Sequence, residues 1–286
     1  MQKVLFIGAS GMLGKPVAAA LIHAGFDVTL LSRDTHKMQQ LFPGVKVVRG
    51  DLFEIETLLK AFAGQDIVYL NLSVEQSSKE KAPQPEREGL ANVITAANET
   101  GIQRIGYLSS LVKNYQGMDG FNWWCFEIKQ EAGAAIKSSG IPYTIFYPST
   151  FMECLDKQML KGNKLMMVKG SKAKMWFIAA EDYGKQVVKA FQLAGSNNQE
   201  YMIQGREGYN WKEASKIFTA NYKKPVKTMT VPLRLLKFLG VFSQKIFYGA
   251  RICEAMNKYP EKFESEKTWK DLGKPLITLA DYTKKL

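Results

Sequence analysis

Through the first 150 residues, short unbroken apolar runs alternate with longer amphipathic stretches. Val4–Ile7, Asp27–Leu31, Val45–Val48, Asp66–Leu70, Arg104–Leu108 and Tyr143–Phe146 read as strands, and apolar residues recur at helical spacing through Leu13–Ala24 and near 54–62, 87–100 and 122–139. Strands that are apolar throughout are buried on both faces, and strands separated by helices pair in parallel through right-handed crossovers. The pattern predicts an α/β fold, a Rossmann-type doubly wound parallel sheet. Beyond Pro148 the regularity ends. A lysine-rich segment runs to Lys174, followed by a helix at 181–194, a strand Glu200–Gln204, a helix at 210–222, an extended Val226–Val231 and a basic amphipathic stretch to Tyr259. This predicts a second, smaller α+β unit over 151–286, with chain crossings between it and residues 1–150. The segments 73–85 and 113–120 follow the fourth and fifth strands. Open α/β sheets bind ligands beyond the carboxyl ends of their strands, so both loops are expected to border a crevice.

At 46% hydrophobic and 12% aromatic residues, the 286-residue chain is rich enough in core formers to exclude a disordered protein or a small disulfide scaffold. No apolar run approaches the roughly 18 residues that a spanning helix needs. Residues 4–13 are apolar but hold two glycines and lead directly into a patterned helix, unlike a cleavable leader, so a cytoplasmic location is expected. Cys125, Cys154 and Cys253 lie far apart without a C-x-x-C pair, which supports neither a disulfide frame nor a metal site. Charge divides the chain. Residues 1–150 carry 14 Lys+Arg against 14 Asp+Glu and residues 151–286 carry 25 against 13, so the net charge of +12 resides in the second part. That excess fits either solubility or an anionic partner: a phosphorylated ligand, a membrane surface or nucleic acid. No recognised nucleic-acid motif accompanies it, and nucleic acid is not expected.

Gly8-Ala9-Ser10-Gly11-Met12-Leu13-Gly14 stands between the first strand and the first helix. The first glycine permits the tight turn, the second lets backbone amides approach a pyrophosphate, and the third allows close helix-to-sheet packing, with the helix N-terminus facing the phosphates. A purely structural turn is the alternative. The acid that would hold a ribose hydroxyl of NAD is missing at its usual distance, and Ser32-Arg33 ends the second strand instead. A guanidinium can pair with a 2′-phosphate where a carboxylate would repel it, so NADP(H) is expected in preference to NAD(H). Lys15 either adds charge to the same site or is a solvated helix residue.

With these residues the chain resembles the atypical short-chain dehydrogenase/reductase superfamily, in its NmrA-like branch. The resemblance also rests on Gly50-Asp51-Leu52, Leu108-Ser109-Ser110, Lys129, Ser139–Thr144, Tyr147–Glu153 and Phe177–Tyr183. It implies that residues 1–150 bind the dinucleotide and that 151–286 form a substrate lobe. Ser10, Met12 and Leu13 would join the three glycines at the cofactor. Asp51 and Leu52 would contact the adenine, although Asp51 equally suits a cap for the helix near Glu54. Asn71 and Ser109 would line the cofactor, and Pro148 to Phe151 would lie near the nicotinamide. Many relatives carry Arg where this chain has Tyr147.

Short-chain dehydrogenases typically use Y-x-x-x-K, and here Cys125 occupies the tyrosine position before Lys129. The resemblance makes Lys129 the catalytic candidate. Positioning of the cofactor and plain surface exposure are its other readings. Cys125 is expected to be a packing residue. Tyr107, Tyr115 and Tyr147 are alternative proton sources among which the sequence does not choose. Trp123, Trp124 and Phe126 are expected to wall the crevice. The stretch 231–257 is expected to form a lid or core, with an anionic membrane as the alternative. The implied function is an NADPH-dependent reductase of a hydrophobic carbonyl, quinone-like or conjugated small molecule. The rival is a redox-sensing regulatory or scaffold protein that binds NADP(H) without turnover.

Overall fold

The computed structural model describes residues 1–169, 172–193 and 198–286. Its centre is a sheet of seven parallel strands. β1 (Lys3–Ile7), β2 (Asp27–Ser32), β3 (Lys46–Arg49), β4 (Ile67–Leu70), β5 (Arg104–Leu108) and β6 (Tyr143–Pro148) alternate with α1 (Gly14–His23), α2 (Thr35–Leu41), α3 (Ile55–Phe62), α4 (Leu90–Thr100) and α5 (Trp124–Ser138). The chain then leaves the sheet for a hairpin, β7 (Leu160–Lys161) and β8 (Lys164–Val168), and a short β9 (Met175–Trp176). It returns through α6 (Ala180–Gln192) and β10 (Gln199–Ile203), so that the order is β10-β6-β5-β4-β1-β2-β3 with the direction of winding reversing between β1 and β4. Successive residues of β1 serve opposite faces. Val4 and Phe6 join Val17, Leu21, Tyr183 and Phe191 under α1 and α6, whereas Leu5 and Ile7 join Leu58, Val93, Ala97 and Ile136 under α3, α4 and α5. The doubly wound sheet is as the periodicity predicts.

After β10 come β11 (Gly208–Tyr209), α7 (Trp211–Asn221), β12 (Lys227–Val231), α8 (Leu233–Gly240), α9 (Gln244–Lys258), α10 (Glu266–Leu272) and α11 (Leu279–Lys284). β12 pairs in parallel with β8, and Leu155, Leu165, Met175, Phe177, Trp211 and Phe218 form a separate apolar cluster beneath them. Buried Asp182 accepts the amides of Leu276 and Ile277 at 2.8 and 2.7 Å, tying the chain's last segment to α6. The residues at which the chain first quits the sheet are thus not the last to belong to it. The predicted helix at 181–194 is α6, except that Ala194 lies outside the described residues. The short helices α2, α10 and α11 escape a reading by periodicity because each is only six or seven residues long.

The stretch 231–257 departs from the expected lid. It breaks into two helices at Val241, where Ser243 caps α9 by accepting the Ile246 amide. α9 does cover other elements: Tyr248 packs on Trp123, and Ile252, Cys253 and Met256 face a cavity. α8 packs chiefly on α9, leaving Leu235, Phe238 and Phe242 47%, 63% and 78% exposed. Among the described residues, no helix is long and apolar enough to cross a membrane.

Glu153 joins the segment after β6 to the start of α6, accepting the Ala180 amide at 2.9 Å, and burial pushes its carboxyl up to about 7 from about 4.5. A raised carboxyl contributes stability that is full below the unfolded-state value and is lost as pH rises through the folded-state value. Between about pH 5 and about pH 8 the parent should therefore lose stability relative to Glu153→Gln, as read from urea unfolding. Parallel curves for the two proteins would show Glu153 ionising as an ordinary carboxylate.

Candidate functional site

The turn from β1 into α1 is built around three glycines and Asn71. Gly8 has φ +89°, a region that disfavours other residues. A Cβ on Gly8 would stand 2.2 Å from the Asn71 carbonyl oxygen, and one on Gly14 would stand 2.1 Å from the Gly8 carbonyl oxygen. The chain's own packing demands both glycines. Gly11 is different: it is exposed, its φ is not positive, and a Cβ would meet nothing nearer than Asn71 Nδ2 at 3.3 Å. That contact is tight, with the Gly8 carbonyl oxygen beside it at 3.4 Å, but far less forbidding than those at Gly8 and Gly14. Asn71 Nδ2 and the Gly11 amide both donate to the Gly8 carbonyl, at 3.1 and 3.2 Å. α1 then begins without a capping side chain and without an acid in its first turn, so no carboxylate there opposes an anion, although the Lys15 amide is taken by the Gly11 carbonyl at 3.1 Å and Pro16 has no N–H to offer.

A cavity of about 410 Å³ lies over the carboxyl ends of β1 to β4, lined among others by Gly8, Ser10, Arg33, Lys37, Asp51, Leu52 and Asn71. Arg33 is exposed and has no ion-pair partner among the described residues. Its neighbour Asp34 is turned away from that role: the carboxylate caps α2 by accepting the Lys37 amide at 2.9 Å. Lys37, unremarked in the sequence, brings a second cation to the wall. The signal for it is its place in the first turn of a helix that starts directly after the strand-end arginine. Asp51 does not cap α3, whose start is Glu54. Its Oδ1 accepts the Phe53 amide at 3.0 Å, closing the turn that presents Asp51 and Leu52 to the cavity. Met12 and Leu13 do not line it, since Leu13 packs into the core, and Lys15 is exposed on α1 away from it.

A second cavity of about 230 Å³ stands at the same edge of the sheet, beyond β5 and β6. Ser110, Ser149 and Phe151 contribute from the strand ends, Met159, Met175 and Trp211 from the lobe, and Ile252, Cys253 and Met256 from α9. Tyr259 and Glu261 are its titratable oxygen groups. Glu261 accepts from Ser149 Oγ at 2.9 Å and Gln204 Nε2 at 2.7 Å, while burial outweighs these bonds and pushes its carboxyl above the usual range. Neither residue was singled out from the sequence, because both lie far along the chain in a segment without a motif. Trp123, Trp124 and Phe126 do not wall this cavity as expected. They pack with Tyr115, Phe121 and Tyr248 where α5 meets α9. Ser109 and Pro148 line neither cavity: the Ser109 and Leu111 amides donate to Phe146 and Pro148 carbonyls, joining β5 to β6.

A family model described as the NmrA-like family matches residues 1–281. The chain belongs to the NmrA-like family. Photosystem II assembly factor Ycf39 of Trieres chinensis is 24% identical, over 98% of this chain and 91% of that protein. Triphenylmethane reductase of Citrobacter sp., complexed with NADP(H), superposes with a TM-score of 0.77 at 19% identity, covering 99% of this chain and 100% of that one. The NADPH-dependent quinone oxidoreductase of Escherichia coli, complexed with NADPH, gives 0.77 at 22% identity, covering 99% of both. At these identities the two structures show a shared fold.

In this NmrA-like chain Lys129 Nζ lies 2.7 Å from Glu86 Oε1, and the Tyr107 hydroxyl donates to the same oxygen at 2.6 Å. The Glu86 side chain is fully buried, and Lys129 lines neither cavity. Glu86 sits in the turn Pro85–Gly89, next to the Pro85 that does line the larger cavity. The ion pair therefore pins the loop after β4 against β5 and α5. The other tyrosines weighed as proton sources are also engaged, Tyr115 with Asp119 and Tyr147 with Glu200. Cys125 is buried in the aromatic cluster, and burial together with the Glu86 carboxylate pushes its thiol up to about 12, which leaves it protonated. Lys129→Met strands the buried carboxylate and should destabilise the fold by about 3 kcal/mol. Glu86→Gln added to it should recover most of that loss in urea unfolding. A single variant as stable as the parent would show that the pair bears no part of the loop's anchoring.

Proposed function

We propose that this chain is an NADPH-dependent reductase of an apolar, conjugated small molecule of the quinone or carbonyl type. The observation that carries this reading is the pair of cavities along one sheet edge: a polar one at the glycine turn and β2 that presents Arg33 and Lys37 beside Asp34 and Asp51, and a mainly apolar one at β5 and β6. The likeness in fold to a triphenylmethane reductase and an NADPH-dependent quinone oxidoreductase supports it. NADPH supplies a hydride when bound. Gly8, Ser10, Gly11 and Gly14 hold the pyrophosphate, Arg33 and Lys37 the 2′-phosphate, and Asp51 and Leu52 the adenine, with Asn71 shaping the turn. Phe151 and α9 exclude water from the reacting end. Lys129 acts by positioning the loop that Glu86 carries, and Glu261, whose raised carboxyl stays protonated above the ordinary range, gives the proton.

Anaerobic mixing with NADPH and a panel of quinones, enones and aldehydes should consume the cofactor's absorbance with at least one acceptor. kcat should fall as pH rises through the raised pKa of Glu261, and Glu261→Gln should lower kcat while removing that fall. Cofactor binding without any turnover would instead fit the regulatory or scaffold reading, and an unaltered pH profile in the variant would place the proton donor elsewhere.

Arg33→Ala should weaken NADPH by roughly 10- to 150-fold, as expected for loss of a charge-assisted hydrogen bond of about 1.5 to 3 kcal/mol, and leave NADH almost unchanged. Calorimetric titration of both cofactors decides it. Equal losses for the two, or a parent that prefers NADH, would remove Arg33 and NADP(H) preference together.

A further inference from the structure

The tip of the α8–α9 hairpin answers to neither cavity. Leu235, Phe238, Val241, Phe242, Ile246 and Phe247 are all exposed there, Val241 and Phe242 by more than three quarters. The Phe238 and Phe242 rings pack against each other with centroids 5.8 Å apart, forming one apolar ridge on the turn between the helices. The stretch of chain that runs through it is basic, although Glu80 and Glu127 stand across a cavity from Phe247. From 214 to 253 the chain holds eight Lys or Arg and no Asp or Glu. Glu254, at the foot of α9, binds Lys237, Arg251 and Lys258, which fixes the hairpin's base. Arg234, in the first turn of α8, and Lys245, in the first turn of α9 beside the tip, have no ion-pair partner among the described residues.

We propose that this tip docks on an anionic lipid bilayer, with the phenylalanines and aliphatic residues entering the headgroup boundary and the flanking cations meeting lipid phosphates. An amphipathic element with apolar residues at its tip and cations beside them binds an interface by apolar burial plus attraction to anionic lipid. A second copy of the chain fits poorly, because a two-fold contact through the same patch sets like charges against each other. The exposed ridge is Phe, Leu, Ile and Val, without the Tyr and Trp that dominate protein hot spots, and it stands on a convex turn that a bilayer accepts without a matching contour. The later turns of α9 face the apolar cavity, so docking brings that cavity close to a phase in which apolar compounds concentrate.

The test is co-sedimentation with vesicles of phosphatidylcholine alone and of phosphatidylcholine mixed with phosphatidylglycerol. The parent should sediment with the anionic vesicles, weakly at raised salt, and remain in solution with the neutral ones. Phe238→Glu combined with Phe242→Glu should abolish binding. Arg234→Gln with Lys245→Gln should weaken it by about 30-fold, since each cation near an anionic surface is worth about a factor of five. Circular dichroism and urea midpoints establish that the variants are folded. If the phenylalanine variant fails that control, the charge variant and the salt dependence decide. No capture of the parent at low salt, equal capture by neutral vesicles, or binding undiminished in folded variants overturns the proposal. So does a parent dimer in sedimentation velocity that the phenylalanine variant dissolves while vesicles capture nothing.

Discussion

The close approach of β1 to β4 at the turn around Gly8 is the constraint from which the rest of the molecule follows. The sheet's winding reverses at this point, and the backbone of Asn71 comes so near Gly8 that a methyl group would not fit between them. The chain must therefore turn directly into α1. The helix N-terminus is left uncapped by any side chain, at the same edge where β2, β3 and β4 also end. The anion-receptive cleft is thus a consequence of winding rather than an addition to it. Gly11 is held less strictly, because a side chain there would press on Asn71 without the outright clash that one at Gly8 or Gly14 would meet.

The neighbouring strand ends create a different environment from the same edge. Over β2 the wall carries Arg33 and Lys37, whereas over β5 and β6 the lobe brings methionines, Trp211 and α9 across the opening. Between them the loop after β4 is held by a buried carboxylate shared by Lys129 and Tyr107. A charge buried this deeply persists only when paired, so the position of the loop and the engagement of Lys129 are one fact. Lys129 thus holds the loop beside the first cavity while lining neither cavity.

The second part of the chain combines two roles for apolar residues. Leu155, Leu165, Phe177 and Trp211 are enclosed by the lobe, while the ridge at Phe238 and Phe242 is left outside although its composition is similar. The difference lies in what each segment has beneath it. The first group is sandwiched between the β8–β12 sheet and α7, whereas α8 packs chiefly on α9 and leaves the turn between them exposed.

The amino-acid sequence alone determined the parallel sheet, the glycine turn and the cationic end of β2. These features are local: unbroken apolar strands, a spacing of glycines within seven residues and a residue type at a strand end each act through neighbours in the chain. It also marked Cys125 as a packing residue, since a cysteine buried on a helix face usually acts as a small hydrophobe. The tertiary structure decided what depended on distant segments meeting. Glu86 reaches Lys129 across 43 positions and Ser149 reaches Glu261 across 112, and neither spacing carries a periodic signal. The misplacement of Trp123, Trp124 and Phe126 has the same origin, because aromatic residues after β5 can pack toward a cavity or toward a neighbouring helix, and only the position of α9 selects the second. Whether 231–257 is buried or exposed was likewise undecidable from its amphipathic pattern, which states that one face is apolar but not what, if anything, lies against it.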